Sequence, residues 1–365
     1  MHFSDADDVR AREAGLQSIV AEDPPAHKRR PRYAGRNPRG YHEKYKELDP
    51  QRYSEDVEKV LASGKTPAGS HRPIMVEEIL DALRPQPGDL VVDATLGGGG
   101  HARALLERIA PGGCLIGLDV DSLELPRTEA RLRDAGFGAD VFTAHQSNFA
   151  GLERVLAAEG PRRADVILAD LGVSSMQLDN PDRGFGYKES GPLDMRMNPA
   201  RGLPASQLIA RTDAGKLVRI LDDNADEPHA AVIAEALKAQ AIETTGALNT
   251  VIRSALQDRL LSEADEKASV RRTFQALRIA VNDEFATLEW FLRSLPGCLA
   301  PGGRVAILTF HSGEDRRVKK AFQSGHREGF YSSISGEVMR PSRDEMRANP
   351  RASSAKLRRA VRAEQ

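Results

Sequence analysis

Three aspartates that close apolar runs, and four consecutive glycines after the first of them, are the residues of this chain best suited to hold and use a small molecule. Val91-Val92-Asp93 leads through Ala94-Thr95-Leu96 into Gly97-Gly98-Gly99-Gly100-His101, and then into the helical pattern Ala102-Arg103-Ala104-Leu105-Leu106. Glycines at such a strand-to-helix turn let the backbone bend tightly and approach a ligand, with the amino end of the next helix facing it. Leu115-Ile116-Gly117-Leu118-Asp119 offers a second strand ending in an acid, Asp119, placed to hold a ribose. A nucleotide-like cofactor is expected. Gly97-x-Gly99-x-x-Ala102 also satisfies the dinucleotide fingerprint, so a nicotinamide (NAD) oxidoreductase stays open on the loop alone.

Asp93, four residues before Gly97, tilts that choice. The D-x-x-x-G-x-G spacing resembles S-adenosylmethionine-dependent methyltransferases, in which the loop wraps an amino-acid end rather than a pyrophosphate. A cofactor without phosphates needs acceptors for an ammonium and for ribose hydroxyls, and Asp93 and Asp119 are of that kind. The third acid, Asp170, ends Asp165-Val166-Ile167-Leu168-Ala169-Asp170 and precedes Leu171-Gly172-Val173-Ser174-Ser175-Met176-Gln177. Ligands of open α/β sheets bind at the carboxyl ends of such strands. An exocyclic amine on a base is a weak nucleophile, and a carboxylate accepting its N–H directs the lone pair toward a methyl sulfonium. Attack from carbon five of a pyrimidine would instead need a cysteine. The two cysteines, Cys114 and Cys298, lie outside this loop and read as inert buried thiols, so nitrogen is the expected acceptor atom. Asp170 as a simple turn cap is the alternative.

The elements that must position these residues alternate. Strands are expected at 90–93, 114–119, 140–143 and 165–170, with helices at 76–83, 101–109, 123–135 and 149–158, which argues for a parallel sheet covered on both faces. Residues 171–204, rich in Gly, Pro, Asp and Met, read as a long ordered loop of the functional kind. Helical patterns without a convincing strand fill 205–268. A helix from Arg272 is expected to run toward Phe291, the sheet to resume at 303–310, and a basic tail to end the chain.

A string of motifs then becomes specific: His71-Arg-Pro-Ile-Met75, Asp93 through His101, Asp170 through Asp179, Arg183-Gly-Phe-Gly-Tyr187, Gly191 through Met197, Arg272 through Ile279, Leu299 through Arg304, Phe310-His-Ser312 with Glu314-Asp-Arg316, and Asn349-Pro-Arg351. Their order resembles the RsmH (MraW) family of 16S rRNA cytosine-N4 methyltransferases over roughly His71 to Arg362. The resemblance implies an α/β fold: a Rossmann-like S-adenosylmethionine-dependent methyltransferase domain with an inserted all-helical substrate domain. The divisions expected are a basic extension at 1–70, a first methyltransferase part at 71–204, the helical insertion at 205–270 and a second part at 271–365. The cofactor contacts implied are Gly97, Gly99, Gly100, His101, Asp119, Phe149, Asp170 and Gln177 beside Asp93, with Asp170, Ser174 and Ser175 nearest the reacting amine. Phe149 follows a strand where an aromatic can stack on adenine, though it would be equally unremarkable in a core. His101 reads as a helix-start hydrogen-bonding group. His311, Ser312 and Asp315 lack the nucleophile elbow of a hydrolase. No metal set is expected.

The expected partner is 16S rRNA, at the decoding-centre cytidine of the small ribosomal subunit, and no membrane. Net charge is −1, but eight Lys/Arg face one acid between Pro24 and Lys46, and thirteen face five between Arg316 and Gln365. Such segregation suits a polyanion binder with a compact body, and equally suits solvated tails. Candidate RNA contacts are Arg183, Arg196, Arg272, Arg278, Arg316 and Arg351, each of which could instead serve an internal ion pair. No secretory signal or membrane-length apolar run is evident, so a cytoplasmic protein is expected, and a homodimer is compatible with the sequence. Three features depart from the family pattern: the long arm before His71, the acidic segment Asp223 to His229, and Arg316-Arg317 after Gly313. They leave a non-catalytic RNA-binding or assembly factor as the second reading.

Overall fold

The computed structural model describes residues 73–364. The basic extension and the short helix that the sequence suggests near residues 55–62 fall outside that range. Seven strands form one sheet: β1 (Leu90–Asp93), β2 (Cys114–Asp119), β3 (Phe142–Gln146), β4 (Ala164–Asp170), β5 (Leu299–Thr309), β6 (Tyr331–Ile334) and β7 (Lys356–Arg362), in the order β3-β2-β1-β4-β5-β7-β6. The first five run parallel, whereas β7 is antiparallel to both β5 and β6. The chain leaves β1 in one direction for β2 and β3, and returns to its other side as β4 and β5. That reversal opens a crevice at the carboxyl ends of β1 and β4.

Side-chain alternation along the strands builds two cores, one on each face. Val92, Ile116, Ile167 and Ile307 pack against α4 (Leu152–Glu159), α11 (Glu284–Cys298) and α12 (Ser312–Arg327). Val91, Leu115, Leu168 and Leu308 pack against α1 (Val76–Leu83), α2 (Gly100–Ile109) and α3 (Glu124–Asp134). Each fully buried Leu or Ile there contributes about 2 kcal/mol. A third cluster, from Phe185 to Leu277, belongs to the helices α6 (Ala205–Arg211), α7 (Ala214–Ala225), α8 (Ala230–Lys238), α9 (Thr245–Leu256) and α10 (Glu263–Asn282). Two short helices complete the described chain: α5 (Ser175–Asp179) and α13 (Arg343–Ala348). No helix among the described residues is long and apolar enough to cross a membrane.

Four local expectations shift. Strand β3 starts at Phe142 because Val141 and Phe142 both donate backbone N–H groups to Gly138 O, which closes a turn over 138–142. The helix expected to run from Arg272 toward Phe291 breaks at Asp283, which takes a left-handed φ of 52° between α10 and α11. Strand β5 begins at Leu299 rather than 303, its register slipping across Pro301-Gly302-Gly303. The segment expected as a basic tail is instead α12, β6, α13 and β7. Leu357 and Ala360 are buried in β7, while Lys356 and Arg358 both pair with Asp315.

Candidate active site

The glycine run bends because its neighbours leave it no alternative. Gly97 (φ 48°) donates its N–H to Asp119 Oδ2 at 2.7 Å, and its carbonyl accepts from Thr128 Oγ1 at 2.6 Å. Gly99 (φ 75°) caps α2 in a left-handed conformation, and a Cβ there would lie 2.8 Å from Thr128 Cγ2. A Cβ on Gly100 would meet Pro73 Cγ at 2.3 Å, whereas the Cβ position of Gly98 is open. The loop is therefore sealed beneath by Thr128 and Pro73 and clear above Gly98. Asp119 is half-buried. Its Oδ1 accepts from Asp121 N at 2.8 Å, and burial raises its pKa against those two N–H bonds.

Asp93 and Asp170 end the two strands that flank the crevice. Asp93 is 1 % exposed, and burial pushes its carboxyl up to about 6, with His101 and the Thr95 N–H opposing. Thr95 ties the two strand ends together, its hydroxyl accepting the Asp170 N–H at 2.6 Å. Burial, with Glu314 nearby, pushes Asp170 up to about 7. Its Oδ1 is buried with no hydrogen-bond partner, an arrangement that leaves an acceptor waiting. Its Oδ2 lies 3.6 Å from His101 Nδ1. The other ring nitrogen, Nε2, sits 2.9 Å from the Ile74 carbonyl, which can only accept, so Nε2 carries the hydrogen. Burial lowers the His101 pKa against the pull of Asp93, so the ring is neutral at pH 7 and turns a lone pair toward Asp170. His101 is thus both a helix-start group and the neighbour of the third acid.

The loop after β4 is pinned by a buried knot that sequence reading missed. Asp121, 1 % exposed, accepts from Leu123 N and Glu124 N on Oδ1, and from Gln177 Nε2 and Arg183 Nη1, each at 2.7 Å, on Oδ2. Arg183 Nη2 donates to the carbonyls of Arg196 (3.1 Å) and Met197 (2.8 Å). Arg183 is 8 % exposed and spends three of its five guanidinium N–H groups inside the protein, the structural use that its sequence position also allowed. Gln177 also closes a capping box with Ser174, whose hydroxyl accepts Gln177 N at 3.2 Å, so both its amide ends face protein rather than cofactor. Ser175 opens α5 directly beside it. The only sequence signal for Asp121 was a second acid two residues past Asp119.

The remaining arginines divide by burial. Arg196 grips Asp194 with two hydrogen bonds, Arg278 grips Glu284 with two at 2.8 and 2.9 Å, and Arg351 is paired with Asp179. These three are engaged in ion pairs within the protein, the alternative their sequence positions also allow. Arg272 approaches Glu227 at 3.9 Å and stays partly exposed, and Arg316 approaches Asp226 at 3.8 Å with most of its side chain in solvent. The acidic segment before α8 thus has a packing reason: Glu227 is buried and takes hydrogen bonds from Ser269 and the His229 N–H. Glu284, His311 and Glu314 bring donor atoms within 4.8 Å of one another, but the Arg278 guanidinium already occupies both oxygens of Glu284. Phe149 is half-buried and turns its ring edge-on to Phe291 at 5.3 Å. Cys114 begins β2 and Cys298 ends α11, at the opposite end of the sheet from Asp170, and burial raises both thiols, Cys298 to about 11.

Asp93, Asp119 and Asp170 together make an anionic cradle around a glycine loop. A pyrophosphate would be repelled there, whereas a ligand carrying an ammonium, a sulfonium and ribose hydroxyls finds the acceptors it needs. The unpartnered Asp170 Oδ1 and the open space above Gly98 fit such a group. The antiparallel β7 also separates this sheet from the dinucleotide-binding strand order. Fold and site define an S-adenosylmethionine-dependent methyltransferase. The chain belongs to the MraW methylase family, whose sequence profile matches residues 68–363. It is 49 % identical over 342 residues to ribosomal RNA small subunit methyltransferase H 2 of Alkaliphilus metalliredigens, covering 92 % of this chain and 97 % of that protein. It is 48 % identical to methyltransferase H 1 of Agathobacter rectalis, over 93 % of this chain and 98 % of that protein. It is also 43 % identical to methyltransferase H of an Anaeromyxobacter species (strain K), over 79 % and 96 %.

Proposed function

We propose that this enzyme methylates the N4 amine of a cytidine in 16S rRNA, the decoding-centre cytidine to which its family resemblance points, within the small ribosomal subunit. Asp170 carries the reading: a half-buried carboxylate whose buried Oδ1 has no partner, at the carboxyl end of β4, with no thiol on that edge of the sheet. S-adenosylmethionine, when bound, supplies a methyl on a sulfonium and leaves as the thioether. Gly97, Gly99, Gly100 and His101 would border it, Asp93 would take its ammonium, Asp119 its ribose, and Phe149 would lie along its adenine.

Asp170 accepts an N–H of the exocyclic amine, which turns the nitrogen lone pair toward the methyl, and takes that proton as the N–C bond forms. His101 Nδ1 stands ready to share it. The Ser174-Ser175 turn borders the amine, and Gln177 acts by holding that turn through its capping box. Most of the rate enhancement then comes from positioning. The target base must be extruded to reach the crevice, and the helical unit at 205–270 supplies the docking surface between the two methyltransferase parts at 71–204 and 271–365. The test is transfer of a labelled methyl group to purified small subunits that lack the modification, followed by nucleoside mass spectrometry. N4-methylcytidine from wild type, and none from Asp170→Ala, is the expected result. Label at carbon five would overturn the reading. Retained rRNA binding without turnover would favour a non-catalytic factor.

A further inference from the structure

Four of the cations expected to bind RNA, Arg183, Arg196, Arg278 and Arg351, have carboxylate partners inside the protein, while another set stands free. On α12, Arg316, Lys319, Lys320, Gln323 and Arg327 fall within a stripe about 100° wide at 3.6 residues per turn. All five are exposed. The opposite side of the helix is buried through Glu314, Val318, Phe322 and Gly325, so the stripe faces solvent by construction. Lys319, Lys320 and Arg327 make no ion pair among the described residues. No acid lies on the stripe. Asp315, just outside it, is turned away onto Lys356 and Arg358 of β7. The stripe starts beside the carboxyl edge of the sheet, one turn past His311, where Arg316 meets Asp226 of the helical unit.

We infer that this face of α12 is a second RNA-binding surface, one that clamps the phosphate backbone of the substrate rRNA away from the target cytidine. The inference rests on rRNA being the substrate. From Arg316 to Arg327 the stripe spans about 16 Å, at 1.5 Å per residue, enough to follow two or three consecutive phosphates of one strand. Its chemistry is that of a polyanion track and no other partner. With no apolar residue among the five, it has nothing to anchor a protein interface core or to enter a bilayer. Its two central lysines are point charges suited to phosphate, and only the terminal arginines and Gln323 could meet a base edge, so it adds mainly affinity rather than sequence choice.

The experiment compares wild type with Lys319→Glu/Lys320→Glu/Arg327→Glu, and with the milder triple glutamine variant, for binding to purified small subunits and to protein-free 16S rRNA across a salt series. Three lost phosphate contacts should flatten the slope of log affinity against log salt by about 2–3 and weaken binding at least about tenfold at low salt. S-adenosylmethionine affinity and the thermal midpoint should match wild type. An unchanged slope on both RNAs would overturn the inference. So would weakening on subunits with none on bare rRNA, which would assign the stripe to a ribosomal protein. If wild-type enzyme itself bound neither RNA, the substrate reading would fall first.

Discussion

Replacing Arg183 by Met separates the structural role found for it from the RNA contact its sequence position suggests. Asp121 is 1 % exposed and Arg183 is 8 % exposed, so the variant strands a carboxylate that keeps only Leu123 N, Glu124 N and Gln177 Nε2 as donors. It also strips the Arg196 and Met197 carbonyls of their shared donor. Breaking a buried, hydrogen-bonded ion pair from one side costs about 3–5 kcal/mol. At roughly 2 °C per kcal/mol for a domain of this size, the thermal midpoint should fall by about 6–10 °C. Limited proteolysis should open first within 171–204, since Arg183 joins that loop to the turn after β2. Asp121→Asn combined with Arg183→Met should recover part of the loss, because no charge is then left buried. A midpoint within about 1 °C of wild type, together with weaker rRNA binding and a shallower salt slope, would refute the assignment and return Arg183 to the RNA.

Other outcomes follow from the same geometry. Asp170 must be a carboxylate to accept the amine proton, and its pKa is raised to about 7, so single-turnover methylation should fall about tenfold per unit below pH 7 and level off above it. Asp170→Asn should be slow and flat across that range. Gly99→Ala adds a Cβ at a left-handed φ and 2.8 Å from Thr128 Cγ2, and should cost about 1–3 kcal/mol in S-adenosylmethionine binding measured by calorimetry. Arg278→Met leaves Glu284 buried without its cation and should lower the denaturant midpoint by the equivalent of about 3 kcal/mol. Titration with NADH should show no saturable binding at concentrations that saturate with S-adenosylmethionine, since the cradle is lined by carboxylates.

The core of this fold was readable because its signals are local. Val91-Val92-Asp93 and Asp165 to Asp170 are short apolar runs closed by an acid, and the glycine loop between a strand and a helix has one geometry open to it. Tertiary pairings hid the rest. Asp121 and Arg183 stand 62 residues apart, and nothing near either residue announces the other. The break between α10 and α11 falls in Asn282-Asp283-Glu284, without Gly or Pro, and is held by Arg278 reaching over it to Glu284. Lys356 to Arg362 reads as charge, yet Leu357 and Ala360 alternate inward and decide that it is a strand. Arginine content is compatible with a polyanion partner but does not locate its contacts, because a guanidinium serves a buried carboxylate as readily as a phosphate.

The position of β7 sets an order of events during synthesis. It follows β6 in the chain yet lies between β5 and β6, so β6 has no neighbour in the sheet until residues 356–362 arrive. A nascent chain can fold its first five strands as they emerge, but it must hold the β5 edge and the whole of β6 unpaired until β7 is made. The last-made strand is therefore a keystone. A ribosome that stalls or is cut short within β7 releases a protein with an open sheet edge, and such molecules should be the ones that aggregate or are degraded.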